Sequence, residues 1–423
     1  MPYSETAPLT ASTDPDSADK AIQLKRLKDY QKYAFLVTFL GYFMAHFSRK
    51  CYSTVKKNME EDAGYSPLLI SEMDSIFMGT YAVGNIVSGK LGDTFRPTNV
   101  LSLGLYGSGV CLSCITVALV FDFHGMNAML GNFIILFCYF LFGFFQSTGG
   151  PVGTAVMGNW FCDAESVKNR GLIYGLWTCH QYMGDVTAQL CAAWVMHSGI
   201  AYWWALLIPA VCNLAWGVVT QQLVPDPAEM GIITEEVRIR LAKMEAKRLE
   251  GNFVQDDGPK PISFIDAFKI PMVLQYAVAF GFFKLTNYTL FFWLPYFLEN
   301  HFDPVQANLI ASLYSVGMMP GGIIVGVVSD IFGGRRAAVI GVFMTFLFLF
   351  LFIFARFSED LSAMMLLPML AIMGILVGGP NNIITSAVAA DLAEHPSVKG
   401  SSKSLGTVTG LINGTGAITA SIG

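Results

Sequence analysis

Three cations stand where an ordinary soluble protein would not place them. Arg49 and Lys50 close the apolar stretch TFLGYFMAHFSRK, and Lys284 is alone inside LQYAVAFGFFKLTNYTLFFWLPYFL. A charge within a membrane segment costs about 2.5–3.5 kcal/mol on insertion scales, so it marks a ligand, a partner or a pathway. A guanidinium offers a planar fork to two oxygens of one phosphate, and an ammonium adds a point charge. Cations on two separate segments can therefore hold one anion between them.

The segments that carry them are membrane spans. Hydrophobic residues make up 53% of the 423 residues, charged residues only 13%, and the mean hydropathy is +0.51. A soluble domain carries about 25% charge. Apolar runs near the roughly 20 residues needed to cross a bilayer recur at 31–56, 70–90, 99–120, 129–150, 170–195, 201–222, 270–297, 305–328, 336–356 and 363–388. An eleventh begins near 403, and the chain stops inside it. The fold class expected is an all-α membrane protein with the lipid bilayer as its solvent. There is no phosphate-cradling GxxxxGK[ST] motif and no catalytic constellation, which argues against an enzyme. Cys111 and Cys114 form a CxxC without a second pair or a nearby histidine, and read as packing residues. No metal, cofactor or nucleic-acid partner is expected.

Basic residues mark one side of the membrane. Lys90 and Arg96 follow the second span, Lys168 and Arg170 precede the fifth, Arg335 and Arg336 follow the eighth, and Lys399 and Lys403 precede the eleventh. The positive-inside rule makes that side, and with it the N-terminus, cytoplasmic. Residues 1–29 are polar, with Glu5, Asp14, Asp16 and Asp19, and carry no cleavable signal peptide. Lys56 and Lys57 read as ordinary interfacial charges at the opposite end of span one.

Residues 223–268 form the long hydrophilic interior segment and divide the chain. Val237, Leu241 and Met244 share a helical face there, so the segment reads equally as an amphipathic surface helix or a solvated linker. The expected organisation is a tail (1–29), a six-helix half (30–222), a central loop (223–268) and a second half (269–423). The halves repeat a loop: GKLGDTFRP from Gly89, with Asp93 and Arg96, and GVVSDIFGGRR from Gly326, with Asp330, Arg335 and Arg336. The glycine lets two helices approach closely. The acid can cap the next helix or pair with a base across a cytoplasmic gate. Its recurrence in both halves indicates a duplicated transporter architecture. Gly374 and Gly378 form a GxxxG read as packing alone. Asn287 and Asn413 open glycosylation-like triplets inside spans and are expected to be unmodified.

The two loops resemble the hallmark of the major facilitator superfamily. GYFMAHFSRK, QSTGGPVGTAVMGNWF, RGLIYGLWTCHQYMG, PDPAEMGI, VGGPNNIITSAVAADL and KGSSKSLGTVTGLINGTG resemble, in order, stretches of its organophosphate:phosphate antiporters. The branch most resembled is the eukaryotic sugar-phosphate exchangers. The resemblance implies two six-helix halves, so a second half truncated within its eleventh helix is expected. It implies exchange of a sugar phosphate or related organophosphate for inorganic phosphate by alternating access, with an endoplasmic-reticulum location.

The resemblance also implies roles. Arg49 holds the substrate phosphate with Lys50 beside it, Lys284 adds a charge from the second half, and Tyr42 and Tyr81 line the cavity. His180 contacts phosphate and can respond to protonation, although a histidine in such a helix otherwise serves packing. His46 serves equally as a substrate contact or an interhelical hydrogen-bond partner. Asn85 stands where other branches have lysine, which makes the cavity less positive than theirs. Asp185 reads as half of a structural ion pair. It also keeps open a proton-coupled facilitator for another solute, and a non-transporting receptor-like member is the remaining alternative.

Overall fold

The computed structural model describes residues 15–161, 163–223, 262–357, 363–398 and 404–422. Their secondary structure is helical, as a hydrocarbon solvent requires: it offers no hydrogen bonds, so each segment satisfies its own backbone. Eleven long helices follow one another. They are α1 (Pro15–Cys51), α2 (Pro67–Thr94), α3 (Pro97–Val120), α4 (Ala128–Trp160), α5 (Arg170–His197) and α6 (Trp204–Leu223). After the central segment come α7 (Val273–Leu298), α8 (Pro304–Ile331), α9 (Arg336–Phe357), α10 (Met364–Ala393) and α11 (Leu405–Ile422). Seven of them (α3, α4 and α6 to α10) are long and apolar enough to cross a membrane. The chain is thus an all-α, multi-pass membrane protein.

Local sequence sets the helix starts. Ser66 accepts from the Leu69 amide and Asp303 from the Val305 and Gln306 amides, each followed by proline at the first helical position. That pairing of an oxygen cap with Pro meets the orphan donors of a first turn. Two expected boundaries move. Span one was expected to run to residue 56, but α1 ends at Cys51, and a 3₁₀ turn (Tyr52–Thr54) leads to a short helix (Lys56–Glu61). At its other end α1 extends back to Pro15, so part of the polar tail is helical. The proposed amphipathic face at Val237, Leu241 and Met244 lies outside the described residues, as do Lys399 and Lys403.

Each half has its own apolar core, one built chiefly from α1 to α6 and one from α7 to α11. The halves meet along two seams, α2 on α11 and α5 on α8. The repeated glycines lie in those seams. A Cβ on Gly89 would stand 2.4 Å from the Gly406 carbonyl oxygen, and one on Gly326 would stand 2.7 Å from that of Gly171. Neither approach leaves room for a side chain. Gly374 and Gly378 pack α10 against the Tyr314 and Met318 carbonyls of α8, as expected. The outermost helix, α9, presents Val342, Phe346, Phe348 and Phe352 outward, the face a bilayer would cover.

Candidate functional site

A small cavity lined by polar and aromatic side chains lies between the halves. The first half lines it with Tyr42, His46 and Arg49 of α1, Tyr81 of α2, and Trp177, His180 and Asp185 of α5. Tyr42, His46 and Arg49 are four and three residues apart and so share one helical face. The second half adds Lys284 and Tyr288 of α7, Asn381 and Thr385 of α10, and Asn413 of α11.

Arg49 is 2% exposed. Its Nε donates to Gln146 Oε1 and its Nη2 to the Gln146 carbonyl, both at 3.3 Å, and Nη1 lies 3.5 Å from the Tyr81 hydroxyl. Gln146 is held in turn by donating to Ser48 Oγ (2.9 Å), to which Asn213 also donates (2.7 Å). A break in α4 at Ser147–Thr148 places Gln146 here, just before GGPVG. Pro151 has no amide to offer the Ser147 carbonyl four residues back; Ser88 Oγ supplies that donor at 3.1 Å. The sequence reading missed Gln146, Ser48 and Asn213, because neutral residues in an apolar run give no charge signal.

Lys284 is equally buried, with Nζ 3.4 Å from the Asn413 carbonyl. Its ammonium lies 5.5 Å from the Tyr81 ring centroid, and the Arg49 guanidinium lies 4.6 Å from the same centroid. One aromatic ring thus has a cation from each half beside it. Among the described residues neither cation has a carboxylate partner.

His180 is fully buried, its ring 4.4 Å from that of Tyr42 and 4.5 Å from that of Trp177, and among the described residues neither of its ring nitrogens has a hydrogen-bond partner. His46 Nδ1 pairs with Asp185 Oδ1 at 3.0 Å. His46 thus makes the expected interhelical hydrogen bond, and it also lines the cavity. The partner of Asp185 is an imidazole.

Two expectations are corrected. Lys50 does not line the cavity; it donates to the Phe291 carbonyl and lies 4.3 Å from that ring. Pro295, four residues on, has no amide with which to satisfy that carbonyl. Lys56 is not an interfacial charge: it is 1% exposed, pairs with Asp74 at 2.5 Å, and lies 4.2 Å from the Trp293 ring.

Beyond the cavity, contacts between the halves close each end. At the basic-loop end Asp93 accepts from the Gly406 and Thr407 amides and from Thr407 Oγ1 (2.7 Å), capping α11 from the other half. Arg170 pairs with Asp391 (3.2 Å) and Glu394, and Arg336 joins Asp391 (2.5 Å) and Asp330 (3.3 Å). Arg335 is exposed, and Arg96 flanks the start of α3. The loop acids depart from the expected roles: Asp93 caps α11 of the other half rather than the helix that follows it, and Asp330 pairs with Arg336 of its own loop rather than across a gate. At the opposite end Lys50 is joined by Lys57, which donates to the Glu299 carbonyl at 3.1 Å.

Comparison with known proteins agrees with this architecture. The family model described as Major Facilitator Superfamily matches residues 38–423. Sugar phosphate exchanger 3 of Gallus gallus is 33% identical over 92% of this chain and 84% of its own length. The Homo sapiens protein of that name is 31% identical over 97% and 89%. A protein of Arabidopsis thaliana named "Putative glycerol-3-phosphate transporter 1" is 31% identical over 93% and 81%.

Proposed function

This chain belongs to the major facilitator superfamily of membrane transporters, and from that premise we propose that it exchanges an organophosphate, of the sugar-phosphate or glycerol-phosphate class, for inorganic phosphate. The names of the relatives support that substrate class. The observation that carries it is the pair Arg49 and Lys284, buried, contributed by opposite halves, and set over one tyrosine ring without a carboxylate partner among the described residues. A phosphate ester near neutral pH carries between one and two negative charges. Arg49 takes two of its oxygens through the guanidinium fork while Lys284 supplies a point charge. The hydroxyls of Tyr42 and Tyr81 and the N–H of the His180 imidazole offer further hydrogen bonds to the remaining oxygens.

Exchange follows from the charge count. A bound phosphate of either kind neutralises two buried cations, whereas an emptied cavity leaves them facing each other and resists closing. The two halves, 30–222 and 269–423, rock about the site, with the Gly89–Asp93 and Gly326–Asp330 loops closing one end. The positive-inside rule assigns that end to the cytoplasm, and the resemblance assigns the protein to the endoplasmic-reticulum membrane.

The test is uptake of labelled phosphate into phosphate-loaded proteoliposomes. Arg49→Gln and Lys284→Gln should each lower uptake at least 100-fold with membrane insertion intact, and Arg49→Lys should fall at least tenfold because a point charge cannot replace the fork. Near wild-type exchange by Arg49→Gln would sink the site. Solute uptake driven by a proton gradient, without phosphate exchange, would establish the proton-coupled facilitator instead.

A further inference from the structure

The cavity has a second pole of opposite chemistry. Asp185 is a carboxylate lining a cavity whose cations suit anions, it is 1% exposed, and neither Arg49 nor Lys284 pairs with it. Its Oδ1 is committed to His46 Nδ1; among the described residues its Oδ2 has no hydrogen bond. His46 lies three residues before Arg49 on the same face of α1, about 4.5 Å along the helix axis at 1.5 Å per residue. The residue that holds Asp185 is therefore about one helical turn from the residue that carries the guanidinium.

The residues around it are also left with acceptors. Gln181 donates its side-chain amide to Asn382 Oδ1, and Asn381 donates its own to the Tyr182 hydroxyl at 3.1 Å. Each keeps a side-chain carbonyl oxygen as an acceptor and a second amide N–H as a donor, and both residues line the cavity. Thr385 lines it from a π-helical turn (Ile384–Val388) in α10, a distortion found mainly at functional sites.

A carboxylate can only accept, and it repels a phosphate placed against it. A carboxylate and two side-chain amides in the same cavity as the phosphate-binding cations fit a group rich in hydroxyls, which both donate and accept, joined to that phosphate by a short carbon chain. We propose that Asp185, with Gln181 and Asn381, forms a hydroxyl-binding subsite that selects polyhydroxylated phosphate esters over bare ones. This rests on the phosphate reading of Arg49 and Lys284 and adds to it the residue that reads the remainder of the substrate.

The experiment measures competition against labelled phosphate exchange by the full chain in proteoliposomes. Two matched pairs of equal charge are compared: glucose 6-phosphate with cyclohexylmethyl phosphate, and glycerol 3-phosphate with propyl phosphate. The readout is the ratio of inhibition constants within each pair, which is independent of the amount of active protein. A site built to bond hydroxyls discriminates strongly against analogues lacking them, so the wild-type ratio should exceed ten for at least one pair. In Asp185→Asn it should fall below three. In His46→Gln, which keeps the carboxylate and removes its partner, it should stay above ten.

A wild-type ratio near one, or an unchanged ratio in Asp185→Asn, overturns the proposal. Collapse of the ratio in both variants also overturns it, because Asp185 would then act only by holding His46. Should a variant not transport, the same ratios are read from ligand-induced thermal shifts of the purified protein. Failure of the phosphate reading has a different signature: wild-type vesicles would take up no phosphate, and neither member of either pair would compete.

Discussion

At the basic-loop end the halves are joined by guanidinium–carboxylate pairs and by a carboxylate on the start of α11, whereas at the opposite end lysines of the first half donate to main-chain carbonyls of α7. The basic-loop pairs are partly wet. Arg170 is buried, but the Glu394 side chain is 55% exposed and that of Asp391 45%. Pairs of that kind are screened by salt and contribute about 0–1 kcal/mol each. The opposite end is drier: Lys50 is 2% exposed and Lys56 1%. A buried cation there has no water to fall back on when its partner moves. The difference suggests a readily adjustable latch at one end and a stiff one at the other.

Three measurements would break or sharpen that contrast. The largest effect is expected from Lys56→Met, which strands the buried Asp74 carboxylate, one of whose oxygens lacks a partner among the described residues. Removing one member of a buried pair costs about 3–5 kcal/mol, so thermal unfolding in detergent should fall sharply. Lys56→Met with Asp74→Leu should recover most of the loss. A single variant as stable as wild type would show that end to be wetter than its burial indicates.

Lys50→Met comes next. It leaves the Phe291 carbonyl without a donor, at about 1–3 kcal/mol for a buried unsatisfied group. Pro295→Ala in the same chain supplies the missing amide and should restore part of it. Absence of coupling in that double-mutant cycle would mean that Lys50 does not serve the carbonyl freed by the proline. The smallest effect is expected at the other end. Arg170→Gln should shift stability by about 1 kcal/mol and lose most of that difference in high salt. A loss of several kcal/mol that salt leaves unchanged would erase the distinction between the ends.

How far the sequence revealed these features depends on the signal each carries. Arg49 and Lys284 stood out because charge is rare in apolar runs, and the glycine–acid loops because they recur. Lys50 shared the signal of Arg49 without sharing its place. Adjacent helical residues point about 100° apart, so at most one of the two faces the cavity squarely. Pro295 marks a freed carbonyl, but the approach of α1 to α7 is not written in either segment. Lys56 looked interfacial because its partner, Asp74, lies on another helix. Gln146, Asn381 and Thr385 are neutral, and only the tertiary arrangement separates them from packing residues.

The four helices outside the set apolar enough to cross a membrane, α1, α2, α5 and α11, include those that carry Arg49, Tyr81, His180, Asp185 and Asn413 to the cavity. A segment entering the bilayer alone meets lipid on every side, and each polar group on it raises the cost of leaving the insertion channel. These segments therefore gain from entering beside a more apolar neighbour that shields their polar face. The polar lining of the cavity thereby constrains biogenesis. The order in which helices emerge from the ribosome, and how long early ones wait for partners, becomes part of what this sequence must encode.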